Sequence, residues 1–203
     1  MVRLPEFRKT AGYFFTQHLV RLLAKTPITP NALTWFGLLL SIGAGVLIGT
    51  GHIFAGGFVV LVGGFFDMLD GALARMTNRT SQFGAILDST LDRLAEAAVL
   101  LAIIVAYARG QVEPTLGGVV VVGLAWLGSL LVSYIRARAE ALGIECEVGL
   151  FTRPERGVIL VLGLLLSQFG YSLLIALAVI AAFSLVTAGQ RLIYVWQKTR
   201  KIT

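Results

Sequence analysis

The stretch Asp67-Met68-Leu69-Asp70-Gly71-Ala72-Leu73-Ala74-Arg75, followed eight residues later by Gly84 and then by Asp88 and Asp92, decides how the chain is read. The sequence has four aspartates, and all four lie in this window, between apolar segments at 56–66 and 95–107. Asp67 and Asp70 are three apart, and Asp88 and Asp92 four apart. On two helices each pair therefore shares one face. An aspartate at the centre of a membrane helix costs roughly 2.5–3.5 kcal/mol on insertion scales, less near the interface. Four together, without partners, also repel one another. The cations nearest in sequence are Arg75, Arg79 and Arg93. Bound divalent cations answer the problem better, because carboxylate oxygens suit Mg²⁺, Mn²⁺ or Ca²⁺. A proton or ion pathway, or a buried polar network, is the alternative these residues leave open.

The surroundings of the window have the composition of a membrane protein. The 203 residues are 57% hydrophobic and 14% charged, with a mean hydropathy of +0.84, which excludes an ordinary soluble domain. There is room for about six spans of roughly 20 residues each. The N-terminal apolar positions are interrupted by Arg8, Lys9, His18, Arg21 and Lys25, which is not the pattern of a signal peptide. A single cysteine, Cys146, excludes an intrachain disulfide. The net charge of +6 sits at loop ends, which fits membrane topology and not nucleic-acid binding.

The expected fold is all-α, a single integral-membrane domain over 1–203. Phe7, Ala11, Phe14, Phe15, Leu19, Leu22 and Leu23 recur at helical spacing, predicting an interfacial amphipathic helix over 5–25. A six-helix bundle over 31–195 follows, with spans near 31–49, 53–75, 83–109, 115–138, 152–170 and 171–194. Thr29-Pro30 opens the first span as cap and first-turn proline, and Thr152 and Glu155 have capping-box spacing before the fifth. Of the 17 Lys and Arg, only Arg109 falls on the side opposite the termini. The positive-inside rule then predicts a multi-pass protein of the cell membrane with both termini and the aspartates cytoplasmic. Gly37, Gly43, Gly45, Gly56, Gly57, Gly63, Gly64, Gly123 and Gly128 are read mostly as close helix contacts. Gly71, directly after Asp70, instead lets a bulky phosphate-bearing group approach the backbone.

The pattern Asp67-x2-Asp70-Gly71-x2-Ala74-Arg75-x8-Gly84-x3-Asp88-x3-Asp92 resembles, at every fixed position, the signature of the CDP-alcohol phosphotransferases. In that family an alcohol hydroxyl attacks the phosphorus next to the lipid of a CDP-linked lipid, and CMP leaves. The resemblance implies that Asp67, Asp70, Asp88 and Asp92 ligate two divalent ions, Mg²⁺ or Mn²⁺, and that Asp92 is also the base. It implies that Thr34, Gly71, Ala74, Arg75 and Ser81 hold the CDP-lipid, CDP-diacylglycerol. A homodimer is the family's usual assembly.

A second, basic constellation consists of Arg136, Arg138, Arg153, Arg156 and Arg191. Arginines at cytoplasmic helix ends are expected for topology alone, and Arg153 is read that way. Converging guanidiniums also clamp phosphate, which points to an acceptor alcohol that itself carries a phosphate. The runs Ser133-Tyr-Ile-Arg-Ala-Arg138 and Arg153-Pro-Glu-Arg156, with the late Gln190-Arg191, resemble the prokaryotic phosphatidylinositol-phosphate synthases within the family. That resemblance implies inositol phosphate as acceptor, bound by Arg136, Arg138, Arg156 and Arg191. The same reaction with glycerol 3-phosphate, or with an archaeal ether-lipid donor, is the alternative. A divalent-cation transporter is a third reading, but it gives Gly71, Ala74 and Arg75 no role and predicts repeats the sequence lacks.

Overall fold

The computed structural model describes residues 19–77, 80–113 and 115–200, and among them the protein is entirely helical. A first helix is described over 19–23 (α1). It is followed by α2 (Pro30–Gly49), α3 (Ile53–Met76), α4 (Gln82–Ala108), α5 (Thr115–Ala141), α6 (Arg153–Leu165) and α7 (Ser172–Thr199). Residues 5–18 of the expected interfacial helix lie outside the described residues. Its end is packed against the bundle, with Val20 in an apolar cluster with Leu33, Leu69 and Leu73.

The helix starts follow the local chemistry of the sequence. The Thr29 hydroxyl accepts the Ala32 N–H at 3.3 Å, with Pro30 in the first turn of α2. At α4 the Ser81 hydroxyl accepts the Gly84 N–H at 2.9 Å. At α6 the Glu155 carboxylate accepts the Thr152 N–H at 2.9 Å and its hydroxyl at 2.5 Å. Each bond satisfies an amide or hydroxyl that would otherwise need water near a helix end. The turn between α2 and α3 places Gly51 at φ +92°, a left-handed conformation that glycine adopts without steric cost.

The main helix contacts close a ring: α2 meets α3 and α4, α3 meets α6, α6 meets α7, α7 meets α5, and α5 meets α4. Small residues set some of these approaches. A Cβ added to Gly57 would lie 2.7 Å from the Leu164 Cβ across α3 and α6, and one at Gly128 would lie 2.8 Å from the Ser184 Cβ across α5 and α7. By contrast, Gly37, Gly43, Gly64 and Gly123 have nothing within 4 Å of such an atom, so no described neighbour within the chain crowds them. The largest apolar core runs through α2 to α7, around Ile48, Ile53, Ile103, Tyr107, Leu164 and Leu177.

Four helices, α2, α3, α5 and α7, are long and apolar enough to cross a membrane. In each, less than half of the apolar window is buried inside the protein. Leu39, Val46, Phe58, Leu116 and Leu192 face outward, a distribution suited to lipid and unsuited to water. The chain is a membrane protein, but the expectation of six equivalent spans meets two exceptions. α4 has 27 residues, yet Asp88, Asp92, Arg93 and Glu96 all fall within its first 15. α6 is apolar but has only 13 residues, because turns at 166–171 end it where a further turn of helix was expected. Gly170, at φ +53°, lies in those turns.

Candidate active site

The end of α3 and the start of α4 carry the aspartates, and the two helices present them to one another. One carboxylate oxygen from each of Asp67, Asp70 and Asp88 lies within 4.8 Å of the others. Asp70 is buried, and its Oδ2 has no hydrogen-bond partner among the described residues. A buried, unsatisfied carboxylate oxygen is costly unless a cation completes it. Three converging hard oxygen donors, one of them orphaned, fit a divalent metal ion. Asp92 is buried beside this group but is engaged differently. The Arg153 Nη1 forms an ion pair with Asp92 Oδ2 at 2.5 Å and donates to Asp67 Oδ2 at 3.2 Å.

Two cavities flank the carboxylates. The first is lined by Thr34, Gly71, Ala74, Arg75 and Ser81, together with Asp70 and Asp88. All five positions expected to hold the CDP-lipid are thus brought together with two of the carboxylates. A Cβ built on Gly71 would meet only the mobile end of Arg75, at 3.5 Å, so the backbone there is open to a ligand. Ser81 has a second task as the cap of α4. Thr34 donates to the Pro30 carbonyl at 3.1 Å, and it lines the second cavity as well as the first.

The second cavity is lined by Asp67, Asp92, Glu96, Arg153 and Arg156, and becomes apolar toward Leu38, Val60, Val99 and Leu160. Two of its residues escaped sequence reasoning. The position of Arg153 at a helix end points to topology alone, whereas its guanidinium bridges two of the aspartates. Glu96 lies in a segment read as apolar. Its Oε1 accepts from the Ser129 hydroxyl at 2.9 Å and from Arg156 Nε at 3.3 Å. Glu96 did carry a signal: it stands four residues after Asp92, hence on the same helix face. Of the cations near the aspartates in sequence, Arg93 is tied to its own helix through the Ser89 carbonyl, and Arg79 lies outside the described residues.

The basic residues are less uniform than the aspartates. Arg156 is only 3% exposed, and its Nη1 is buried without a partner among the described residues. Arg191 is buried too, but donates from Nε to the Val148 carbonyl at 2.9 Å and from Nη1 to the Val132 carbonyl at 2.6 Å. Its neighbours Gln190 and Thr187 accept the N–H groups of Leu150 and Phe151. Together these bonds fasten the loop between α5 and α6 to α7. Arg136 is exposed and pairs with Glu140 at 2.7 Å; Arg138 is exposed beside it. Arg136 and Arg156 are both near enough to act electrostatically on Arg191.

Comparison with known proteins agrees with this arrangement. The family profile described as CDP-alcohol phosphatidyltransferase matches residues 27–194. A phosphatidylinositol phosphate synthase of Mycobacteroides abscessus is 40% identical over 181 residues, covering 87% of this chain and 81% of that protein. An archaetidylinositol phosphate synthase of Methanothermobacter thermautotrophicus is 39% identical over 170 residues, covering 83% of each. The crystal structure of Mycobacterium tuberculosis phosphatidylinositol phosphate synthase with CDP-DAG bound superposes with a TM-score of 0.80 at 35% identity, over 89% of this chain and 93% of that one. The same enzyme in complex with manganese and citrate gives 0.81 at 35% identity, over 89% and 88%. The carboxylate cluster, the two cavities and the match along most of its length agree: the chain belongs to the CDP-alcohol phosphatidyltransferase family.

Proposed function

We propose that the protein transfers the phosphatidyl group of CDP-diacylglycerol to a hydroxyl of inositol phosphate, releasing CMP and forming phosphatidylinositol phosphate. The observation that carries this reading is the pairing of the two cavities across Thr34 and the aspartates, one with Arg75, the other with Arg156. On it, Thr34, Gly71, Ala74, Arg75 and Ser81 hold the nucleotide of the donor. Arg156, with Arg136, Arg138 and Arg191, draws the acceptor's phosphate into the second cavity. Asp92, in the lining of the second cavity, takes the proton of the attacking hydroxyl, whose oxygen bonds to the lipid-side phosphorus as the bond to CMP breaks. Arg153 holds the Asp92 carboxylate in place through its 2.5 Å contact. Divalent ions, Mg²⁺ or Mn²⁺ and two in number, held by Asp67, Asp70, Asp88 and Asp92, would neutralise the diphosphate and the departing CMP.

The bundle crosses the membrane six times on this reading, α4 and α6 included, with both termini and the site on the cytoplasmic side, and assembles as a homodimer. A water-soluble acceptor and a lipid donor then reach the same aspartates from two directions. The archaeal relative supports a second donor, an ether lipid with the same CDP headgroup, since both cavities here would treat it alike. The test is CMP release by purified protein in detergent with CDP-diacylglycerol and a panel of acceptors. Release with inositol phosphate, and much less with inositol or glycerol 3-phosphate, is the expected result. Release with glycerol 3-phosphate alone would replace the acceptor, and no release with any acceptor would remove the reading.

A further inference from the structure

We propose that Glu96 is a specificity-determining residue, accepting a hydroxyl of the polyol acceptor on its Oε2. The proposal rests on the acceptor reading above and adds to it a group that tells one phosphorylated alcohol from another. Glu96 follows Asp92 by one turn of α4 and lines the same cavity, together with Arg156 and Asp67. Its two oxygens are used unequally. Oε1 takes the Ser129 hydroxyl at 2.9 Å and Arg156 Nε at 3.3 Å, while Oε2 has no hydrogen-bond partner among the described residues. The carboxylate is therefore anchored by one oxygen from α5 and one guanidinium from α6, with the other oxygen left over.

An ionised carboxylate only accepts hydrogen bonds, so its free oxygen suits a hydroxyl and repels a phosphate. The partner in the salt bridge has the complementary vacancy: Arg156 Nη1 is buried without an acceptor among the described residues. One ion pair, between two residues that line the same cavity, thus keeps both an acceptor and a buried donor unpartnered, which matches a molecule bearing both a hydroxyl and a phosphate. Asp92, one turn away, receives the hydroxyl that reacts, so Glu96 reads a second hydroxyl, one that an acceptor with a single hydroxyl lacks. A bond of this kind discriminates strongly, because an acceptor without the hydroxyl leaves a desolvated carboxylate oxygen unpaired.

The experiment compares inositol phosphate with a cyclohexanediol monophosphate, which keeps the phosphate and one hydroxyl to attack. Each is measured as a substrate or, where turnover is absent, as a competitive inhibitor. Wild-type protein should favour inositol phosphate. In Glu96→Gln that preference should fall at least about tenfold, through the inositol phosphate KM, with the CDP-diacylglycerol KM unchanged. A merely structural pair would weaken both acceptors equally, and an unchanged ratio would overturn the proposal. If Glu96→Gln does not fold, Ser129→Ala serves, since it keeps the charge and Arg156 but frees Oε1. There the preference should fall a few-fold, and an unchanged ratio is again fatal. Wild-type protein that ignores inositol phosphate altogether would remove the proposed function and this inference with it. Turnover of inositol phosphate with a constant ratio in both variants would remove Glu96 alone.

Discussion

The acidic and basic halves of the site satisfy their charges in opposite ways. Asp67, Asp70 and Asp88 turn their oxygens toward one another, and Asp70 keeps one oxygen buried and unpartnered among the described residues. The arginines opposite are each engaged through at least one nitrogen: Arg156 by Glu96, although its Nη1 is left over, Arg191 by two backbone carbonyls, Arg136 by Glu140. A cluster in which the buried Asp70 oxygen has no internal partners, Arg153 reaching Asp67 alone of the three, is organised for something that comes from outside. A set that has them also holds the fold together, so its part in binding is mixed with its part in stability. The contrast explains why the aspartates form a rigid spacing pattern while the arginines are scattered over three helices.

The largest effect that tests this contrast is at Asp70. Asp70→Asn should reduce kcat/KM at least about a hundredfold, the scale of losing a preorganised electrostatic group. In chelator its thermal stability should equal or exceed that of the wild type, because a buried unpaired carboxylate has become neutral. The rise in melting temperature on adding Mn²⁺, expected for wild type, should shrink sharply in the variant. A marked loss of stability in chelator would show that Asp70 has an internal partner, and would break the comparison.

Arg156→Gln and Arg191→Gln come next and should behave differently from each other. At Arg156 a charge-assisted contact worth about 1.5–3 kcal/mol is lost to the acceptor, raising its KM roughly 10- to 150-fold. Stability should fall as well, since Glu96 loses its cation. At Arg191 two carbonyls, of Val132 and Val148, lose their donor, so a fall in melting temperature should dominate and the KM change should be the smaller. Equal KM effects in the two variants would place Arg191 directly on the acceptor. The smallest effect belongs to Arg136→Gln: its half-exposed pair with Glu140 is worth less than about 1 kcal/mol, so stability should hardly move. A KM increase there larger than at Arg156 would shift the acceptor's phosphate toward the end of α5.

Much of this was legible in the sequence because it depends on short spacings. The caps at Thr29 and Thr152, and the shared faces of Asp67 with Asp70 and of Asp88 with Asp92, follow from residues within one helix turn or so of each other. The same holds for the grouping of Gly71, Ala74, Arg75 and Ser81 around one cavity, with Thr34 the distant addition. What was not legible depends on pairs far apart. Arg153 meets Asp67 across 86 positions and Arg156 meets Glu96 across 60, contacts that no periodicity announces. Glu96 was absorbed into an apolar run because a single acid hardly changes the run's hydropathy. The early end of α6 was missed for a similar reason, since Leu164, Leu165 and Leu166 read alike whether they continue a helix or enter a turn.

The shortness of α6 has a consequence for the lipid around it. Thirteen residues rise about 20 Å, against roughly 30 Å of hydrocarbon in an average bilayer. The helix carries Arg153 and Arg156 in its first turn, so its charged end and the turns at 166–171 are held about 20 Å apart. If α6 crosses the membrane as proposed above, a bilayer meeting this side of the ring must thin locally, or the long helices beside it must tilt to shield the difference. Either response brings the headgroup plane nearer to the carboxylates on the α6 side. Membrane thickness then becomes a physical variable of the protein: shorter acyl chains relieve the mismatch, and longer ones increase it.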